Sequence, residues 1–167
     1  FPGEESVTFS NGEFLNIGDV IGNVDESAMK RAQIRQTIEM HLNKELHYMK
    51  QGIKVLSLFF IDEVSKYRDY SREDEKGDYQ IWFEEEYSKL INQPRYKLLR
   101  EKYGDYISTD PTAVHDGYFA QDGKGRIKNS SGTTNDDETT YQLIMKDKER
   151  LLSFDEPIRF IFSHSAL

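Results

Sequence analysis

The sequence contains no cysteine, which excludes disulfides, thiolate zinc sites and a cysteine nucleophile, and suits a reducing cytosol. It also lacks any apolar run near the roughly 18 residues that a membrane-spanning helix needs. Its opening, FPGEESVTF, carries neither a basic leader nor an apolar core, so a soluble, cytoplasmic protein is expected. Positive charge is scarce: 22 Lys and Arg stand against 30 Asp and Glu, a net charge of -8. The surface as a whole therefore repels a phosphate backbone, and any nucleic-acid contact must come from a local arrangement of donors. No G-x-x-x-x-G-K-[ST] or G-x-G-x-x-G occurs, so no phosphate cradle is present and the chain is not expected to hold ATP alone. The chain starts at Phe1 without methionine and stops at SHSAL just after a strand-like run; both ends are expected to be cuts in a longer protein.

What is present is enough for one core. The 167 residues are 37% hydrophobic, 31% charged and 13% aromatic, which argues against global disorder and for a single domain. Residues 6 to 17, with Asn11-Gly12 between short alternating stretches, predict a hairpin. Asp25 or Ser27 can cap a helix in which Ile34, Ile38, Leu42, Leu46 and Met49 recur at helical spacing, ending at Gly52. IKVLSLFFI, 53 to 61, is a nearly unbroken apolar run that suits a strand buried on both faces. Residues 62 to 110 read as an insertion, with 70 to 79 as a loop and 82 to 91 as a helix packing Trp82, Phe83, Tyr87 and Leu90. AVHDGYFA, 113 to 120, predicts a second strand, followed by a turn-rich excursion through 136. A helix over 136 to 152, capped by Thr134 or Asn135, buries Tyr141, Ile144, Met145 and Leu151 or Leu152, and 158 to 163 predict an interior strand.

Strand, insertion, strand, helix, strand is the order of an α/β domain with a parallel sheet. Function in such sheets sits beyond the strand C-terminal ends. Those loops are expected to begin at Asp62, at His115 to Gly117, and at Ser163 to Leu167.

Candidate chemistry is thin. DGKGR, 122 to 126, lacks a preceding strand and a following hydroxyl, and reads as a hairpin turn. His41 and His47 are six apart, not four, so they face different sides of the helix; a solvated helical face is expected, and no metal pair. Acidic runs at Asp136-Asp137 and Glu84 to Glu86 could form a catalytic dyad, but carboxylates in a helix's first turn need no such explanation. The clusters Arg95-Lys97-Arg100-Lys102 and Lys124-Arg126-Lys128 are interleaved with acids or glycines and read as solvated faces. Ser163, His164 and Ser165 form a consecutive set of small or polar donors at a strand end. Such a set can grip phosphates without reading bases, or it can be an ordinary strand end. The residues alone leave function open.

Four segments carry a resemblance. QIRQTIEMHLNKEL (33 to 46), GIKVLSLFFIDEVSKYRDY (52 to 70), VHDGYFAQD (114 to 122) and YQLIMKDKERLLSFDEPIRFIFSHSAL (141 to 167) resemble, in order, the restriction (Res) subunit of type III restriction-modification enzymes. In that family the last run continues into R-E-G-W-D, completing helicase motif V. The resemblance implies a superfamily 2 helicase motor, with residues 25 to 167 as part of its RecA-like second motor domain and residues 1 to 24 as an N-terminal hairpin and loop. KVLSLFFID is similar to motif IV. His115 and Gly117 are similar to a histidine-glycine pair near the second strand, with Asp116 inserted.

The resemblance further implies a parent that uses ATP and Mg to translocate on double-stranded DNA. Its partners would be a modification methyltransferase subunit, the first motor domain and a nuclease domain. Asp62, Ser163, His164 and Ser165 would then face the nucleic-acid backbone, and His115 and Gly117 would lie in a motor loop. No catalytic, cofactor or metal residue is assigned, since the P-loop, the Mg-binding acidic motif, motif VI and the nuclease residues lie outside these residues; the isolated piece is expected to be inactive. Another superfamily 2 DNA helicase, or a non-catalytic interaction module with the motor fold, remains as an alternative. A reading frame continuing through R-E-G-W-D beside a methyltransferase gene separates them.

Overall fold

The computed structural model describes residues 25 to 129 and 134 to 164, together with two short strands before them. Those strands, β1 (Ser6–Thr8) and β2 (Phe14–Asn16), pair antiparallel with Val7 opposite Leu15. This is the hairpin predicted from the alternating stretches; the Asn11-Gly12 turn itself lies outside the described residues.

Helix α1 (Glu26–Tyr48) begins where Asp25 Oδ1 accepts the Ser27 amide at 3.0 Å, satisfying a backbone donor that the first turn leaves open. A 3-10 turn over Met49–Gln51 follows, and Gly52 closes it at φ 71°, a left-handed conformation that glycine adopts without a Cβ clash. Ile34, Ile38 and Leu42 line the buried face of α1 and pack into a core with Phe83, Tyr87, Leu90 and Ile91 of α2 (Asp78–Ile91). α3 (Lys97–Lys102) adds Leu99 to the same core.

Three parallel strands form the sheet: β3 (Ser57–Ile61), β4 (His115–Tyr118) and β5 (Phe160–His164), in the order β3-β5-β4. Phe59 stands opposite Phe162, and Gly117 opposite the same residue from the other side. Because successive side chains alternate between faces, one face carries Phe59, Phe160 and Phe162. Phe59 and Phe162 stack at 4.6 Å between centroids, and Phe83 of α2 meets Phe160 edge-on at 4.9 Å. The other face carries Ile161 and Tyr118, packed on Leu151 of α4 (Thr134–Leu152). Helices thus flank a parallel sheet on both faces, the α/β arrangement expected, and the DGKGR stretch is a turn with Gln121 bridged to Ile127.

Three expectations need correction. The strand predicted over 53 to 61 begins only at Ser57, because Lys54 is pinned away by donating to the carbonyls of Ser153 and Glu156 at 2.7 Å each. It is not buried on both faces: Leu58 and Phe60 are 43% and 58% exposed, since α4 covers only β4 and β5. On α4, Leu151 is buried and Ile144 half-buried, whereas Met145 and Leu152 are exposed, one step around the helix from the packed stripe; the side chain of Tyr141 lies outside the described residues.

Candidate nucleic-acid-facing site

The C-terminal ends of β3 and β5 lie side by side, with Ile61 opposite His164. His164 Nε2 is 3.1 Å from the Asp62 carbonyl oxygen and donates to it in the tautomer protonated there. Tyr79, from the start of α2, donates its hydroxyl to Asp62 Oδ1 at 3.2 Å. Burial raises the Tyr79 phenol to about 12, and the Asp62 carboxylate adds to the effect, so Tyr79 stays a proton donor at neutral pH. Two of the residues singled out in the sequence, Asp62 and His164, are thereby brought together, and a third that was not, Tyr79, holds the Asp62 carboxylate.

The other candidates fall elsewhere. Ser163 and His164 are the last residues of β5 and not part of a loop, which corrects that expectation. Ser163 is fully buried, its hydroxyl without a hydrogen-bond partner among the described residues, so its side chain cannot reach a ligand at the strand ends. Ser165 lies outside the described residues. His115 and Gly117 belong to β4, not to the loop beyond it; His115 opens the strand opposite Phe160, at the opposite end of the sheet from Asp62. Its ring is buried, with Nδ1 2.9 Å from the Tyr67 hydroxyl and Nε2 3.3 Å from Glu84 Oε1. A Cβ on Gly117 would stand 2.6 Å from ring carbons of both Phe119 and Tyr67, so glycine here is a requirement of aromatic packing.

A cleft of about 280 Å³ beside Asp62 is walled by Glu26, Glu63 and Asp78 against Lys30 and Lys66. With Asp62 the carboxylates outnumber the lysines, so this mouth disfavours a triphosphate. Among the described residues no group of three or more acidic or histidine side chains is placed to hold a metal ion. The lining of this cleft thus does not fit a triphosphate with its Mg. No helix among them is long and apolar enough to cross a membrane.

Of the acidic runs imagined as dyads, Glu84 to Glu86 is committed to ion pairs, and the side chains of Asp136 and Asp137 lie outside the described residues. Glu84 meets Lys76 at 2.5 Å and His115 at 3.3 Å; Glu86 meets Arg31, Arg35 and Lys89. Burial pushes both carboxyls up, but these partners outweigh it and hold each at about 2. Arg95 pairs with Glu39 at 2.5 Å, and Arg100 donates to the carbonyls of Ile91 and Gln93, so that basic cluster is partly occupied in holding helices.

Sequence reasoning missed one polar constellation. His41, expected on a solvated face, is 1% exposed, as is Glu45; His47 is exposed as predicted. Glu45 Oε1 lies 2.7 Å from Arg159 Nε and 3.0 Å from His41 Nε2. His41 Nδ1 is 2.8 Å from the Ser57 hydroxyl, and Arg159 donates to the Tyr87 hydroxyl at 2.6 Å. Burial lowers the His41 pKa, so the ring is neutral, its Nε2 proton toward Glu45 and its Nδ1 accepting from Ser57. Burial alone would raise the Glu45 pKa, but Arg159 and His41 bring it below the ordinary value. The available signal was that positions 41 and 45 fall on the same helical stripe as Ile34, Ile38 and Leu42.

A parallel sheet with helices on both faces and its polar residues at the strand C-terminal ends defines a partial α/β domain of the RecA-like kind. No protein-family model matches the chain. Individual proteins do. The Res subunit of the type III restriction-modification enzyme EcoPI, from Escherichia phage P1, is 33% identical over 169 residues, covering 96% of this chain. The EcoP15I Res subunit from Escherichia coli is 33% identical over 168 residues, and the StyLTI Res subunit from Salmonella typhimurium 35% over 130 residues. By sequence, then, the chain matches a segment of type III Res subunits. It spans 16% of the length of the first two relatives.

Proposed function

We propose that this chain is part of the second motor domain, residues 25 to 167 with an insertion at 62 to 110, of an ATP-dependent DNA-translocating endonuclease subunit in a type III restriction-modification system. The observation that carries the reading is similarity along 96% of the chain to two Res subunits. The parent is read as a type III site-specific deoxyribonuclease that works in the cytoplasm with double-stranded DNA and a modification methyltransferase subunit. ATP and Mg would be held by residues outside this segment, which contributes motor structure and contacts to the DNA backbone.

Within it, the junction of Asp62 and His164 faces the nucleic-acid track. His164 fixes the Asp62 backbone and Tyr79 its carboxylate, so the strand end is rigid where the DNA passes. Phosphate contact comes from the chain after Ser163, including Ser165, while Lys30 and Lys66 offset the carboxylates beside Asp62. Steady-state kinetics of the full-length subunit test this. Asp62→Ala and His164→Ala should each cut DNA-stimulated ATP hydrolysis about tenfold or more, a loss of about 1.4 kcal/mol of coupling. Undiminished DNA stimulation in both variants would refute the assignment.

A further inference from the structure

Beyond the end of β4 the chain makes a short hairpin, 120 to 129, that the site described above does not use. Asp122 sets its shape: Oδ1 accepts the amides of Lys124 at 2.8 Å and Arg126 at 2.9 Å, while Gly125 closes the turn with a left-handed φ of 76°. The Lys128 amide donates to the Ala120 carbonyl and the Asp122 amide to the Arg126 carbonyl, both at 2.8 Å, which holds the two arms together. Ile127 is half-buried against the core, whereas Lys124, Arg126 and Lys128 are exposed.

The hairpin is fastened to the end of the sheet where Asp62 lies. Asn129 Oδ1 accepts the amide of Val64, two residues past Asp62, at 2.8 Å, and the Tyr70 hydroxyl accepts the amide of Ile127 at 2.9 Å. The Arg126 guanidinium lies over the Tyr70 ring, 5.1 Å from its centroid. A guanidinium stacked on a ring is held by its face, which leaves its N–H edge to donate.

Charge sets this corner apart. The chain is -8 overall, yet the hairpin carries three cations against Asp122, and that carboxylate is taken up by two backbone amides. Between the hairpin and the 64 to 71 loop lies a cleft of about 320 Å³ lined by Arg68, Lys128, Ser65, Ser71, Asn129 and Asp69. Asp69 accepts the amide and hydroxyl of Ser71 and pairs with Arg72, and Arg68 meets Glu75 at a loose 3.5 Å. Carboxylates dominate the cleft beside Asp62; cations dominate this one.

We propose that Lys124, Arg126 and Lys128 are a second grip on the phosphates of double-stranded DNA, beside the Asp62 and His164 junction, holding backbone without reading bases. Arg126 and Lys128 stand two residues apart on the returning arm, about 6.6 Å, a step close to that between successive phosphates of one strand. Lys124 extends the row at the turn. The inference rests on the motor reading above, which supplies the DNA.

Titration of the full-length subunit with duplex DNA across a range of salt concentrations tests it. Lys124→Gln, Arg126→Gln and Lys128→Gln together should lower the slope of log affinity against log salt by about 2 or more, since each phosphate contact contributes roughly 0.9. The loss should be equal on duplexes of unrelated sequence. The charge-keeping set Lys124→Arg, Arg126→Lys and Lys128→Arg should retain the parental slope, as should Lys97→Gln with Lys102→Gln, which removes charge from α3 instead. A smaller fall, an equal fall from the α3 pair, or a fall in the charge-keeping set would overturn this inference and leave the motor reading standing. Unchanged DNA binding with loss of the methyltransferase subunit from the complex would give the surface to a protein partner and overturn it too. Failure of the unsubstituted subunit to bind duplex DNA would overturn both.

Discussion

Arg159 and Glu45 are 2% and 1% exposed at the side chain, 2.7 Å apart, so each is the other's substitute for water. Arg159→Met keeps most of the side-chain length and removes the charge. It leaves the Glu45 carboxylate buried with only a neutral histidine, and strips the Tyr87 hydroxyl of its 2.6 Å donor. Breaking one half of a buried pair costs about 3–5 kcal/mol, a large part of the roughly 5–15 kcal/mol of a whole domain. Replacing both halves removes the unpaired charge, so Glu45→Met with Arg159→Met should be more stable than Arg159→Met alone, by about 1–3 kcal/mol. Urea unfolding followed through the single tryptophan, Trp82, reads the difference. A double variant no more stable than Arg159→Met would refute the view that electrostatic pairing, and not shape, holds this site together.

Other outcomes are equally specific. Gly117→Ala drives a methyl to 2.6 Å from two aromatic rings and should lower stability by about 1–3 kcal/mol, seen as a lower urea midpoint. Glu84 and Glu86, both depressed to about 2, lend stability that is fully present above their ordinary value near 4.5 and lost as pH falls toward 2. Glu84→Gln with Glu86→Gln should flatten acid unfolding in that window. With a net charge of -8, the chain alone should bind duplex DNA weakly and with a steep fall as salt rises; nanomolar, sequence-specific binding in a titration would contradict the reading.

Local signals carried most of the architecture into the sequence. Asp25 and Gly52 bracket α1 because capping chemistry is short-range, and the apolar runs at β3 and β5 mark strands that face helices. The residues at the sheet end were legible too, since Asp62 follows one apolar run and His164 ends another. What escaped was tertiary. Nothing near His41 announces that Arg159 will lie against Glu45 and draw both into the core. An apolar run such as LSLFFI cannot tell which of its faces is covered, because the covering helix belongs to another part of the chain. His115 fell inside the strand predicted over 113 to 120, but the register with Phe160 shows that it opens that strand and that no loop begins there.

The strand order also governs how this protein is made. Among the described strands, β3 and β4 do not pair with each other but each pairs with β5, and Asp62 waits for His164, 102 residues downstream. A ribosome therefore delivers both flanking strands with no sheet for them to join, and the last strand must be threaded between them. Such late, long-range closure is slow and leaves sticky strand edges open meanwhile. Chain ends placed before β5 should yield aggregates, and ends placed just after it should yield the first species with protected β3 and β4 amides.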